Sequence, residues 1–131
     1  MFKLKKDISD AYSTTTIGKG MRMEAKLISG SGTIRIEGEY FGEIHIDGEL
    51  VLEKSGHING NVNVKIAYIS GTVFGNVKCS EFLHITPTGK INGDIECEAI
   101  LMDEGAVFIG YSRMTERRVN PSDPLGLDEL Q

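Results

Sequence analysis

Apolar and polar residues alternate along the middle of this chain in short runs that recur every fifteen to eighteen residues. Each run begins with a five-residue motif led by glycine. The five copies are GEYFG, GHING, GTVFG, GKING and GAVFI, beginning at Gly38, Gly56, Gly71, Gly89 and Gly105. After each of the first four copies, polar and apolar residues alternate for four positions. A short unit that recurs at this period is typical of solenoid proteins, in which each copy forms one coil of a stack.

Equivalent apolar positions of successive coils form three ladders of side chains that we expect to face inward. The first ladder holds Tyr40, Ile58, Val73, Ile91 and Val107, the second holds Ile46, Val64, Cys79 and Cys97, and the third holds Leu52, Ile69, Ile85 and Met102. Three ladders predict three short strands per coil, in which every second side chain points inward. The sequence therefore predicts an all-β fold, a single-stranded parallel β-helix of about five to six coils. The spacing leaves the hand open, since left-handed hexapeptide coils also run eighteen residues.

The order of these coils resembles that of the bactofilins, a family of bacterial polymer-forming cytoskeletal proteins. The resemblance is carried by IRIEG at Ile34, GHINGNV at Gly56, ISGTVFGNV at Ile69, LHITPTGKINGDI at Leu83 and ILMDEGAVFIG at Ile100. It covers about two-thirds of the chain. The resemblance implies a right-handed β-helix that assembles end to end into filaments without nucleotide. It also implies a scaffold at the cytoplasmic membrane that positions cell-wall enzymes or other envelope proteins.

Three regions of different charge divide the chain. Residues 1–27 form a basic, flexible leader with six Lys or Arg and three Asp or Glu. Residues 28–112 form the predicted β-helix, which has five Lys or Arg and twelve Asp or Glu. Residues 113–131 form a tail that we expect to be disordered. The acidic coils argue against nucleic-acid binding, because they offer little charge to neutralise phosphates. No apolar run in the sequence is long enough to span a membrane. Residues 1–6 are also not followed by the apolar run of a signal peptide, so we expect a cytoplasmic protein.

The first six residues predict a membrane-targeting peptide. They comprise Met1, Phe2, Lys3, Leu4, Lys5 and Lys6. Two apolar side chains set among three cations suit the anionic inner leaflet, where each Lys contributes about 1 kcal/mol. The leader also resembles the short N-terminal membrane-targeting peptide of many bactofilins. The alternative is an inert, disordered start.

The two ends of the stack are the predicted polymerisation interface. A β-helix exposes unpaired backbone groups at its last coil on each side, and such edges pair with other chains unless they are covered. We expect Ile28, Ile34 and Ile36 to open the stack and Val107, Phe108 and Ile109 to close it. Phe108 is either an exposed anchor for self-association or part of the terminal core.

No cofactor, metal or nucleotide site is predicted. Gly89-Lys90 lacks the other residues of a phosphate loop. Cys79 and Cys97 share an inward ladder and are predicted to be reduced core residues. The three histidines, His45, His57 and His84, fall on outward positions. They are the candidate bases for the main alternative function, an enzyme of the hexapeptide-repeat acyltransferase class, in which a histidine serves as general base.

The sequence favours a non-enzymatic scaffold over that alternative. Six-residue spacing breaks between Val64 and Val73, which a strict left-handed hexapeptide helix does not tolerate. A second alternative is a β-helical adaptor that does not polymerise and uses its acidic early coils to bind a basic partner. The outward acidic residues of those coils are Glu37, Glu39, Glu43, Asp47 and Glu49.

Overall fold

The computed structural model describes residues 14–114, and this range contains eleven strands and no helix. The strands are β1 Thr14–Ile17, β2 Arg22–Ile36, β3 Glu39–Leu52, β4 His57–Asn59, β5 Val62–Ile69, β6 Thr72–Phe74, β7 Val77–Ile85, β8 Lys90–Asn92, β9 Ile95–Met102, β10 Val107–Ile109 and β11 Ser112–Met114. All neighbouring strands are parallel. The predicted parallel β-helix is confirmed, with about six turns. The predicted tail begins two residues too early, because Arg113 and Met114 belong to strand β11, and residues 115–131 lie outside the described residues.

Each coil contributes a short strand to three faces of the helix, which we name A, B and C in chain order. Face A contains residues 22–24, 39–41, 57–59, 72–74, 90–92 and 107–109. Face B contains residues 27–30, 43–46, 62–64, 77–79, 95–97 and 112–114. Face C contains residues 14–17, 33–36, 49–52, 66–69, 82–85 and 99–102.

The core is a column of stacked apolar side chains, as the alternation predicts. The buried ladders are Tyr40, Ile58, Val73 and Ile91 on face A; Ile44, Val62, Val77 and Ile95 beside Ile46, Val64, Cys79 and Cys97 on face B; and Leu50, Ala67 and Leu83 beside Leu52, Ile69 and Ile85 on face C. Strands on faces B and C are long enough to point two side chains inward, so each of these faces has two ladders. Burial of these side chains is the main stabilising contribution to the fold.

The last coil lies one residue out of register with the prediction. Phe108, and not Val107, pairs with Ile91 and so continues the face A ladder. The coil between Lys90 and its partner Val107 has seventeen residues. The shift arises at Gly105, which lies in a turn with a positive φ of 101°. The motif glycine of the fifth copy is therefore replaced by Ala106, whose N–H bonds to the carbonyl of Asp103.

The solenoid also begins earlier than the predicted boundary at residue 28. Strand β1 and the first part of β2 add coil residues from Thr14 onward. This first coil lacks the glycine-led motif, and its register against the next coil shifts between Glu24 and Leu27. The missing motif explains why the repeat pattern did not reveal it.

One corner of every later coil depends on glycine. Gly60, Gly75 and Gly93 join face A to face B with φ between 149° and 153°. A Cβ built on Gly75 would lie 2.0 Å from the carbonyl oxygen of Gly60 in the preceding coil, and the same close approach recurs along the ladder. Glycine is required there both for its conformation and because consecutive coils touch.

Candidate polymerisation surfaces

The N-terminal end of the stack exposes methionine and leucine side chains. Face A ends at residues 22–24 and face B at residues 27–30, and within the described range no strand lies before them. Met21, Met23 and Leu27 are exposed there by 61%, 40% and 51%. Arg22 stacks over the ring of Phe41 at 4.4 Å and also pairs with Glu24. Exposed apolar and charged side chains therefore alternate along this end of the stack.

Two of the predicted end residues are not at the end, and that part of the expectation is wrong. Ile34 and Ile36 are 1% and 0% exposed. Strand β1 covers them, with Thr15 paired to Ile34 and Ile17 paired to Ile36. Ile28 does lie in the first coil, where it is partly buried and packs against the core.

The C-terminal end is larger and more apolar. Its edge strands are β10 on face A, β11 on face B and the second half of β9 on face C. The exposed large hydrophobic residues at this end are Leu101, Met102, Val107, Ile109, Tyr111 and Met114. Among the described residues, nine of the ten such side chains therefore lie in the first or last coil, and Phe74 is the exception. Apolar surface is concentrated at the two ends.

Phe108 closes the core at this end. It is partly buried and packs against the buried cluster, directly beyond Ile91. Phe41 and Phe74 fill the same place in the glycine-led motif, but they lie on the outward ladder that ends at Ile109. Ile109 is 59% exposed and is the more accessible of the two.

The membrane-targeting prediction for Met1 to Lys6 falls outside the described residues. Between residues 14 and 114, no helix is long and apolar enough to cross a membrane. These residues also contain no group of three or more His, Cys, Asp or Glu side chains that could hold a metal ion.

The three histidines lie on three different faces of the helix. His45 lies on face B, His57 on face A and His84 on face C. The first two are exposed, whereas His84 is partly buried and its Nε2 lies 2.9 Å from Oδ2 of Asp103. The predicted outward positions are confirmed. Side chains on separate faces cannot converge on one bound substrate within a subunit.

Cys79 and Cys97 stack in adjacent coils of the face B core, as predicted. Burial, with a smaller effect of the neighbouring Cys97 thiol, raises the pKa of Cys79 to about 12. Burial also raises the pKa of Cys97. The thiolate is the reactive form of cysteine, so these residues are poor nucleophiles and poor metal ligands in the folded protein.

A polar groove of about 460 Å³ follows the corner between faces A and B. The outward ladder along it is His45, Asn63, Lys78, Glu96 and Arg113. Lys78, Glu96 and Arg113 alternate in charge, which favours stacking of successive coils. The corner is also held by side-chain caps, since Asn61 and Asn76 accept bonds from the backbone N–H groups of Asn76 and Asp94. These contacts account for the groove as part of the stack.

Comparisons with known proteins agree with this geometry. The family model for bactofilins, described as polymer-forming cytoskeletal, matches residues 15–113. Bactofilin BacP of Myxococcus xanthus is 31% identical over 102 residues, which cover 78% of this chain and 42% of BacP. Bactofilin BacO of the same organism is 30% identical over 98 residues, which cover 75% of this chain and 77% of BacO. The match thus spans about two-fifths of the length of BacP. No solved structure matches the chain significantly.

Proposed function

This chain belongs to the bactofilins, the polymer-forming cytoskeletal family, and we propose that it assembles end to end into filaments without nucleotide. The observation that carries the proposal is the location of the exposed apolar side chains, nine of ten of which lie in the two terminal coils of the described range. Contiguous apolar surface of this kind marks interaction sites. The flanks between the ends are richer in charge.

Backbone hydrogen bonding supports the same contact. Among the described residues, strands β10 and β11 are terminal in the sheet and pair with one neighbour each. An edge strand offers a row of donors and acceptors to another chain. A second subunit stacked on this end would cover Met102, Phe108 and Met114, which continue inward ladders, while it paired those strands. The energy of assembly then comes from burial and strand pairing, which need no nucleotide.

The test replaces one exposed side chain at each end by arginine. We expect Met114→Arg and Met23→Arg each to reduce the polymer that sediments by at least tenfold, because these side chains continue the inward ladders of Cys97 and Tyr40, and a charge buried there without a partner costs several kcal/mol. Phe74→Arg is the matched control, since Phe74 is 51% exposed but lies on a flank. Phe108→Arg is less informative alone, because Phe108 also packs on the core.

The readouts are sedimentation and negative-stain microscopy of the full chain in nucleotide-free buffer, with far-UV circular dichroism to verify folding. Unchanged sedimentation of folded Met114→Arg would reject the C-terminal contact. Loss of polymer in Phe74→Arg alone would instead place the contact on the flank. Discrete trimers in the wild type would favour the acyltransferase alternative, and a monomer at all concentrations would favour the adaptor.

The proposed filament acts at the inner face of the cytoplasmic membrane through Met1 to Lys6. One such peptide binds weakly, but a filament carries many copies, and linked weak contacts give strong overall binding. Deletion of residues 2–6 should release filaments from anionic vesicles while polymer formation continues. Retention on the vesicles would remove this part of the proposal.

The proposed role is a non-catalytic scaffold that localises cell-envelope or morphogenesis proteins. It is supported by the separate locations of the three histidines, which do not form a joint site within a subunit, and by the raised pKa values of the two buried thiols. The client proteins would be identified by co-sedimentation with native filaments.

A further inference from the structure

The outward strand positions of face C are uncharged over three successive coils, apart from one histidine, and Glu81 and Glu98 directly precede two of these strands. These outward positions are Ile66, Tyr68, Phe82, His84, Ala99 and Leu101. We name Ile66, Tyr68, Phe82 and His84 the face C patch. On face B, by contrast, the outward positions of the last three coils carry Lys78, Glu96 and Arg113.

Ring contacts hold the patch in one arrangement. The His84 ring lies 6.0 Å from the Tyr68 ring in an edge-on geometry and 6.2 Å from the Phe82 ring. The Asp103 carboxylate lies next to the patch and is hydrogen-bonded to the His84 ring. All four patch side chains are partly exposed. The patch is therefore a pre-formed surface with two aromatic rings, and it does not belong to either end of the stack.

The leader joins the helix on this same face. Strand β1 is the first strand of face C, and residues 1–13 attach directly to Thr14. Tyrosine also favours membrane interfaces, where its ring is apolar and its hydroxyl is wet.

We propose that face C is the flank that lies against the lipid surface, with Tyr68 and Phe82 in contact with the headgroup region. This inference rests on the proposed membrane attachment of the leader. The patch covers two coils at about 4.8 Å by one short strand, far below the roughly 800 Å² per partner of a stable protein interface. Repetition along a filament makes such a small contact effective at a membrane.

The test uses the absence of tryptophan from the chain. Tyr68→Trp and Phe74→Trp each introduce one fluorophore, on face C and on face A. Filaments of each variant are floated with vesicles of phosphatidylcholine and phosphatidylglycerol, with and without brominated lipid. We expect the Tyr68→Trp emission to shift to shorter wavelength and to be quenched by brominated lipid, and the Phe74→Trp emission to change in neither way.

A charge variant checks the energetics. Phe82→Glu should weaken vesicle binding at least about fivefold per subunit, as expected for one unit charge near an anionic leaflet, whereas Phe74→Glu should not. Both variants should still form filaments. Failure of wild-type filaments to float would overturn the membrane attachment and this inference together.

Three other outcomes would overturn the inference alone. Filaments could float while Phe74→Trp, and not Tyr68→Trp, is quenched, which would turn face A toward the lipid. Flotation with neither variant quenched would leave the leader as the whole attachment. A shift of the Tyr68→Trp emission on polymerisation without lipid would show that a second copy of the chain covers face C.

Discussion

Replacement of Gly75 by alanine tests whether the coils touch at the corner between faces A and B. The added Cβ would lie 2.0 Å from the carbonyl oxygen of Gly60 and 2.6 Å from its carbon. Both atoms belong to the backbone of the preceding coil, so neither can rotate away as a side chain would. Gly75 also has a φ of 149°, a region that residues with a Cβ rarely adopt.

The expected loss of stability combines these two effects. Backbone strain of this kind costs about 1–3 kcal/mol, and overpacking costs about 1–3 kcal/mol. The sum of about 2–6 kcal/mol is a large part of the roughly 5–15 kcal/mol that stabilises a domain. For about 100 ordered residues, a loss near 4 kcal/mol lowers Tm by roughly 15 °C or more.

Gly18→Ala is the matched control, because no atom lies within 4 Å of its added Cβ. The assay is thermal unfolding followed by far-UV circular dichroism, with all variants at one protein concentration because assembly makes Tm concentration-dependent. We expect Gly18→Ala to unfold within about 3 °C of the wild type. A similar result for Gly75→Ala would refute the close contact between coils, and so would an equal loss in both variants.

Two buried polar groups give further predictions. Tyr40 is 0% exposed, and its hydroxyl donates a hydrogen bond to the carbonyl of Glu43 at 2.7 Å. The variant Tyr40→Phe should therefore lower the free energy of unfolding, measured in urea, by about 1–3 kcal/mol. An unchanged midpoint of the urea transition would contradict this. The raised pKa of Cys79, about 12 against a usual 9, favours the folded state below pH 9, and stability should fall as pH rises from 9 toward 12. The free energy of unfolding should fall by about 1.4 kcal/mol per pH unit through the titration of Cys79. The variant Cys79→Val, which matches Val64 in the same ladder, should lose this contribution. Equal pH dependence of stability in both proteins would contradict the assignment.

The interior of the fold could be predicted from sequence because each coil repeats the same local rules. An inward ladder needs an apolar residue at a fixed distance from a glycine corner, and that relation is visible for Ile58, Val73 and Ile91 without a structure. The prediction failed where the local rule changes. At Gly105 a turn displaces the last ladder residue to Phe108, and a motif match alone cannot detect a one-residue shift.

The surfaces were harder to predict, because exposure depends on which coil is the last one. Ile34 and Ile36 resemble the residues of any other coil, and only the presence of β1 decides that they are covered. The face C patch was missed for a related reason. Ile66 and Phe82 look like core residues in the sequence, and their outward direction follows from the register of a strand whose start is not marked by glycine.

The first coil differs from the interior coils in a way that constrains the subunit joint. Gly42 approaches the carbonyl of Ala25, but the first corner holds two residues, Ala25 and Lys26, opposite the single residue Gly42 of the next coil. At those later corners a Cβ would fill the space that the preceding coil occupies. The extra residue gives the first corner a different backbone, in which Ala25 does not have the positive φ of the later glycines. A joint at this end therefore cannot copy the interior stacking at that corner, and we expect it to bury Met23, which continues the inward ladder of Tyr40.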